Sequence, residues 1–258
     1  MKTPKKPSGL YIGSVEKAFK VLECFRNARA PLTMGQLAIQ TGYTKSAVQR
    51  SVFTLIELGY LARNADGGLH SGSKCLDMAF QFLQPNPLIA MAYPVLLKIR
   101  DTTGERTNLS FFDGDTLVYA IRLQSTKDYG YLTSLIGRRL PTFCTAGGRA
   151  MLGCLPRHEA MQIIASSPRQ PLTSFTKTDP KEIIASVDEA RSAGFACVVS
   201  EMVTGEVSVA AAVVDKQGLP VAAIHISSSL AHWTPEDFQN QYAPLVIEVA
   251  QSLSAFRG

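Results

Sequence analysis

Apolar positions between residues 14 and 63 repeat at helical spacing in three successive runs. Val15, Ala18, Phe19, Leu22 and Phe25 fall at i, i+3, i+4, i+7 and i+10, and Ser14 stands where an N-cap is expected. The second run is short. Thr33 precedes it, with Gln36 at capping-box spacing; Leu37 and Ala38 form its apolar face, and Gly42 suits a helix end that needs a positive φ. Thr44 caps the third run. There Val48, Val52, Leu55 and Ile56 share one face, and Lys45, Ser46, Gln49 and Arg50 the other, before Gly59 ends it. Two short helices joined this way have the spacing of a helix-turn-helix, whose second helix offers its N-terminal residues to base edges. An ordinary helical hairpin with a solvated polar face has the same pattern.

Residues 60–63 and 69–71 read as short strands around the loop Asn64-Ala65-Asp66-Gly67-Gly68. Helix, helix-turn-helix and hairpin together make a winged helix, in which Arg63 is placed to reach a phosphate or the minor groove. Next come Leu76, Met78, Ala79, Phe80, Phe82 and Leu83, a helical segment too apolar to stand alone in water. It predicts pairing with a second copy of itself. Gln84-Pro85-Asn86-Pro87 then marks a boundary, followed by a helix over 88–103, with a bend expected at Pro94.

Beyond it the period changes. Residues 107–112 and 117–123 alternate as strands around Asp113-Gly114-Asp115, and 195–200, 207–214 and 221–227 are further strands. Helices are predicted over 145–155, 158–165, 180–192 and 235–256, the last capped by Thr234 with Pro235 at its first position. Hairpin-linked strands with helices around them predict an α+β domain on an antiparallel sheet. The expected organisation is a disordered basic arm over 1–13, a winged helix-turn-helix over 14–73, a linker helix over 74–87 and a larger domain over 88–258.

Charge sharpens this division. The 258 residues carry a formal net charge of +5. Residues 1–75 hold 11 Lys and Arg against 4 Asp and Glu, a net of +7, leaving −2 for the rest. Positive charge confined to the helix-turn-helix segment favours a polyanionic partner, double-stranded DNA. Lys2, Lys5 and Lys6 belong to the tail, whereas Lys45 and Arg50 lie on the polar face of the third run.

No apolar run approaches the roughly 20 residues that span a bilayer, and no apolar segment follows the basic N-terminus as in a signal peptide. Cys24, Cys75, Cys144, Cys154 and Cys197 are scattered and form no CxxC pair. Neither a disulfide framework nor a metal site is expected, no cofactor is indicated, and reduced thiols fit a cytoplasmic protein. Cys144 precedes a helix start, where a thiol can become nucleophilic. No base is placed beside it, so an enzyme is the weaker reading.

Three segments resemble the IclR family of transcriptional regulators. They are SVEKAFKVLECF with the helix-turn-helix ending in TLIELGYL; LPTFCTAGGRAML at 140–152; and GFACVVSEMVTGEVSVAAAVVDKQGLPVAAIHIS at 194–227. The resemblance runs from Ser14 to Phe256. It implies a winged-helix domain, a linker helix and a GAF-like effector domain. It also implies homodimers or tetramers on a palindromic operator, under control of a small metabolite. The DNA-binding positions are then Thr33, Thr44, Lys45, Ser46, Gln49, Arg50 and Arg63. The effector-binding positions matched from the family are Ala146, Gly147, Val198, Ser208, His225 and Ser227.

Asp215-Lys216-Gln217-Gly218 reads as a four-residue hairpin loop. Counting outward from Val214 facing Leu219 sets Ser208 opposite His225, with Ser227 on the same face. The amides of Ala146 and Gly147 at a helix start are suited to a carboxylate, so a small organic acid is the expected effector. Four positions depart from the family: Val198 for an acidic residue, Phe143 for His, Arg149 for Lys and His225 for a small residue. With Val198 the remaining walls are expected to be apolar, favouring a larger, aromatic or otherwise partly apolar acid over a small hydrophilic 2-oxo acid. His225 is either an imidazolium paired with that acid or a neutral ring held within the sheet. A larger domain that only oligomerises is the alternative to an effector domain.

Overall fold

The computed structural model describes residues 9–127 and 136–255. The lysines of the expected basic arm, at 2, 5 and 6, and the end of the last expected helix, Phe256, lie outside them. The chain divides into two compact units, residues 1–82 and 83–258.

In the first unit, α1 (Gly13–Glu23), α2 (Met34–Thr41) and α3 (Lys45–Glu57) pack around Val21, Leu37, Val48, Val52 and Leu55, with Leu61 and Leu69 of the wing closing the core. The expected capping box forms: the Gln36 N–H donates to Thr33 Oγ1 and the Thr33 N–H to Gln36 Oε1. Gly42 takes φ 70 at the end of α2, and Thr44 Oγ1 accepts the Ala47 N–H at the start of α3. Ser14 is not the cap of α1. The helix already includes Gly13, and the Ile12 carbonyl accepts the N–H groups of Val15 and Glu16, so Ser14 sits inside the first turn.

The wing is β1 (Leu61–Arg63) against β2 (Leu69–Ser71), antiparallel. Leu32 bridges to Leu69 through a reciprocal pair of backbone bonds, 2.8 and 2.9 Å, which ties the approach to α2 onto the wing. Then α4 (Lys74–Leu83) exposes Leu76, Met78, Phe80 and Phe82 and has no buried residue.

The second unit begins at Leu83. Asn86 caps α5 (Pro87–Thr103) with Pro87 in its first turn, and the helix continues through Pro94. The sheet is built from β3 (Arg106–Asp113), β4 (Thr116–Leu123), β5 (Arg139–Pro141), β6 (Ala196–Val199), β7 (Glu206–Val214) and β8 (Pro220–Ser229). It is antiparallel throughout, in the order β5-β4-β3-β8-β7-β6. Strand β5 was not expected; its three residues include Arg139 and Pro141 and carry no alternation.

The sheet has two unlike faces because β7 alternates by residue size. Val207, Val209, Ala211 and Val213 join Ile224, Ile226 and Leu109 in the main core, packed against α5 and α9 (Pro235–Ala255). Thr234 caps α9, its Oγ1 accepting the Asp237 N–H. The opposite positions, Ser208, Ala210 and Ala212, are small. Over them lies α6 (Ala146–Cys154), backed by α7 (Arg157–Ser166) and α8 (Pro180–Ala193). Ala146 packs on Val198 and Ala210, and Ala150 on Ala190, Ala196 and Ala212.

The β7–β8 register differs from the expected one by two residues. The Asp215 N–H donates to the Leu219 carbonyl, so the loop is three residues with Gly218 at φ 79. A register shift between Val213 and Val214 adds one residue more, and Ser208 pairs with Ser227 while Ala210 pairs with His225. A slip of two keeps every side chain on its face, because strands alternate with period 2.

Thr33→Ala should lower the unfolding free energy of the first unit by about 1 kcal/mol, the usual worth of an N-cap side chain. Denaturant melts should show the loss, with Thr33→Ser restoring most of it; an unchanged midpoint would mean the box adds nothing.

Candidate functional site

The first unit presents a polar helix face. Helix α3 buries Val48, Val52 and Leu55 and leaves Lys45, Ser46, Gln49 and Arg50 exposed. Thr44 is exposed at its start, with its hydroxyl committed to the cap and 3.2 Å from Ser46 Oγ. Thr33 is exposed at the start of α2, and Arg63 at the end of β1. Several apolar side chains are exposed as well, among them Ile39 and Phe53, to which the sequence reading gave no role, and Val15 and Phe19, which it had set on the apolar face of the first helix.

The second unit holds a cavity of about 100 Å³ between the small-residue face of the sheet and the start of α6. Ala146, Val198, Ser208, His225 and Ser227, expected from sequence, all line it. Ser227 Oγ donates to Ser208 Oγ at 2.9 Å, as their direct pairing across β7 and β8 allows.

Gly147 is the exception. It does not line the cavity but lies under the His225 ring, where an added Cβ would come within 2.0 Å of Cε1. The Thr145 hydroxyl caps α6 by accepting the Gly148 N–H, so the amides of Ala146 and Gly147 stand outside that bond.

His225 is 3% exposed and shares a 2.7 Å hydrogen bond with Ser110 Oγ. Tyr119 stands edge-on to its ring at 5.9 Å. Burial, then the positive charges of Arg122 and Arg106, push its pKa down to about 3. Burial and the Ser110 hydrogen bond fit the second reading of His225, the neutral ring held within the sheet.

The walls are not apolar, as Val198 had suggested. Arg106, Arg122 and Arg138 all line the cavity, with Glu201 and Glu206. The Arg122 guanidinium lies 4.9 Å from the centre of the Tyr119 ring, and Arg106 pairs with Glu206. Arg149, in the place of the family's Lys, makes a fork with Glu201 at 2.6 and 2.7 Å and donates through Nε to the Phe143 carbonyl. Glu201 also accepts the Lys177 N–H, and Ser200 beside it holds φ 59. The cavity wall over 200–203 is therefore pinned through a buried ion pair. Sequence reading passed over these arginines because none falls in a motif. Their only signal was alternation: Arg106, Asn108 and Ser110 share a strand face, and Arg122 lies across from Asn108.

Cys144 is buried, its thiol pushed up to about 12 by burial, with Met202 Sδ at 3.4 Å. It is a core thiol and not a nucleophile. Among the described residues no helix is long and apolar enough to cross a membrane.

Comparison with known proteins fits both halves. Residues 14–65 match the IclR helix-turn-helix domain, and residues 80–255 match the bacterial transcriptional regulator IclR C-terminal model. The chain belongs to the IclR family. It is a transcriptional regulator with a helix-turn-helix DNA-binding domain and a C-terminal effector domain. The Pca regulon regulatory protein of Pseudomonas putida is 27% identical over 244 residues, covering 94% of this chain and 83% of that one. The crystal structure of the Thermotoga maritima IclR has a TM-score of 0.71 at 23% identity, covering 96% of this chain and 100% of that one. An IclR homologue from Microbacterium hydrocarbonoxydans, solved in complex with 4-hydroxybenzoate, has a TM-score of 0.71 at 20% identity, covering 94% and 96%. The curated relatives carry the names of regulators and repressors, not of enzymes.

The depressed pKa of His225 links this regulator's stability to pH. The unfolded imidazole takes up a proton as pH falls below 6.5, and the folded one resists until about 3. The stability that rests on neutral His225 is complete above pH 6.5 and is lost as pH falls from there towards 3. His225→Gln should therefore lose less stability than the wild type across that window, read from melting temperatures at matched pH. Parallel curves would place the proton elsewhere.

Proposed function

We propose that this regulator binds a palindromic operator through α3 and is controlled by a small organic acid held in the cavity of the second unit. The observation that carries the acid is the lining: three arginines, two of them from neighbouring strands, beside the paired hydroxyls of Ser208 and Ser227. Arg106 is buried, Arg122 half-buried and Arg138 exposed, and a cation drawn out of water calls for an anion. The effector contacts assigned are Ala146, Val198, Ser208, Ser227 and the arginines, with Gly147 and His225 shaping the floor.

The volume of about 100 Å³ suits a compact acid, a single ring at most. The edge of Tyr119 favours an aromatic one. The homologue bound to 4-hydroxybenzoate makes that acid a sensible first probe. Titration calorimetry with 4-hydroxybenzoate, benzoate and succinate tests the class, and the DNA-binding assay is repeated with any acid that binds. Ser208→Val should weaken that acid and leave unliganded DNA binding intact. Binding of neutral compounds only, or an indifferent Ser208→Val, would sink the acid reading and leave the family intact.

On DNA, the assigned contacts are Lys45, Ser46, Gln49 and Arg50 in the groove, with Thr33, Thr44 and Arg63 on the flanks. Their support is shared exposure on a unit whose sequence carries the chain's positive charge. Arg50→Ala should weaken operator binding without lowering the melting temperature. A base contact would cost about 1–3 kcal/mol at one position, whereas a phosphate contact would weaken all sequences alike. A quadruple alanine variant that shifts operator DNA like the wild type would refute the assignment.

The exposed apolar side chains of α4 support a homodimer, or a pair of dimers, with the two-fold symmetry of a palindrome. Phe80→Glu with Phe82→Glu should give a monomer by sedimentation and abolish operator binding together. A monomer that still holds the full operator would overturn the pairing. The reading places the protein in the cytoplasm, where its DNA partner lies.

A further inference from the structure

Strand β7 opens with Glu206, whose carboxylate sits on the Arg106 guanidinium at the start of β3. Arg106 is 7% exposed, so the pair lies at the edge of the interior. Both residues line the cavity that holds Ser208, Ser227 and His225. Both also line an adjoining space of about 20 Å³, with Gln124 and Ser227. Three groups there are unsatisfied: Arg106 Nε, Gln124 Nε2 and Ser228 Oγ are buried and have no hydrogen-bond partner among the described residues.

A guanidinium offers five N–H groups, and its Nε–Nη2 edge, like the Nη1–Nη2 end that Arg149 turns to Glu201, matches the two oxygens of a carboxylate. Glu206 takes Arg106 Nη2 and leaves Nε empty. It is a one-armed occupant of a two-armed seat. Its side chain is 19% exposed, so it has a way out towards water. An acid entering from the cavity meets a seat with the right charge and an idle donor, held by a carboxylate that belongs to the protein.

We infer that Glu206 is a built-in stand-in for the effector's carboxylate, seated on Arg106 until an acid displaces it. The inference rests on the acid-effector reading above. It makes Glu206 a residue that sets the threshold for response and the choice of ligand. Every acid must compete with it, so an acid that grips both Nε and Nη2 has the advantage over one that makes a single contact. Uncharged analogues do not contest the seat and gain nothing from its removal.

The test is calorimetry on the full chain with benzoate, 4-hydroxybenzoate, succinate and the uncharged 4-hydroxybenzamide. Four proteins are compared: wild type, Glu206→Gln, Arg106→Gln and the double variant, with Glu206→Ala as a second removal of the charge and melting curves as the check on folding. Glu206→Gln and Glu206→Ala should bind acids at least about tenfold tighter than wild type, the scale of one charge-assisted hydrogen bond. Acids too weak to detect on the wild type should become measurable. The benzamide should not change, and Arg106→Gln should erase the gain, so that the double variant matches it. Acids that bind the charge-removed variants no tighter than wild type would overturn the inference while leaving the acid reading in place. A gain that survives Arg106→Gln would also overturn it, since the benefit would then be general charge relief. If no acid binds any of these proteins, the acid-effector reading fails and this inference falls with it.

Discussion

The close approach of α6 to the sheet is the constraint on which the second unit depends. Gly147 lies against His225, and an added Cβ at Gly148 would come 2.2 Å from the Thr142 carbonyl. The alanines of β7 answer the alanines of α6 across the same contact. This tight seam seals His225 from water and places the Ser208–Ser227 pair at the floor of a small cavity instead of an open trough. A larger residue on either side would lift the helix and open the site. Packing here has the tolerance of a crystal, where one methyl group is felt.

Sealing the seam sets the electrostatics. A neutral His225 cannot balance an acid, so the positive charge comes from arginines at the ends of neighbouring strands, Arg106 and Arg122. Guanidinium is the cation that stays charged at such a site, because its pKa is too high for burial to neutralise it. The Arg149–Glu201 fork is a different kind of pair. It is 2% and 5% exposed and faces the loop at 200–203, so its work is to hold a cavity wall in shape. Breaking one side of such a pair costs about 3–5 kcal/mol, which makes the wall a rigid part of the site.

The local chemistry of the first unit was legible because each signal is short-range. Thr33 with Gln36, Gly42, and Thr44 before Val48 and Val52 each act within one helical turn, and each does what its spacing implies. In the second unit the strands other than β5 were legible for the same reason, since the alternation of β7 is written in consecutive residues. The pairing of β7 with β8 was not, because a three-residue loop and an extra residue near Val214 both alter the count. The slip of two preserved the faces, so the site residues still converged although their partners were misassigned. The arginines were illegible for a deeper reason. Arg106, Arg122 and Arg138 come from three separate segments, and only the sheet order brings them to one cavity.

Under the proposed function, an acid in this cavity would change DNA affinity only through a difference in its binding free energy between the DNA-bound and DNA-free states. The site has few parts that can supply such a difference. The seam under α6 has no slack, and the wall at 200–203 is fixed by Arg149. The Arg106–Glu206 pair is the partly exposed member, at the point where β7 leaves the loop that ends in Gly205 with φ 81. A charged ligand acts most strongly on a charged contact, so this strand start is where binding energy can become movement. The rigid remainder of the cavity then keeps that movement from being absorbed locally, because packed cores shift between discrete arrangements and do not deform continuously.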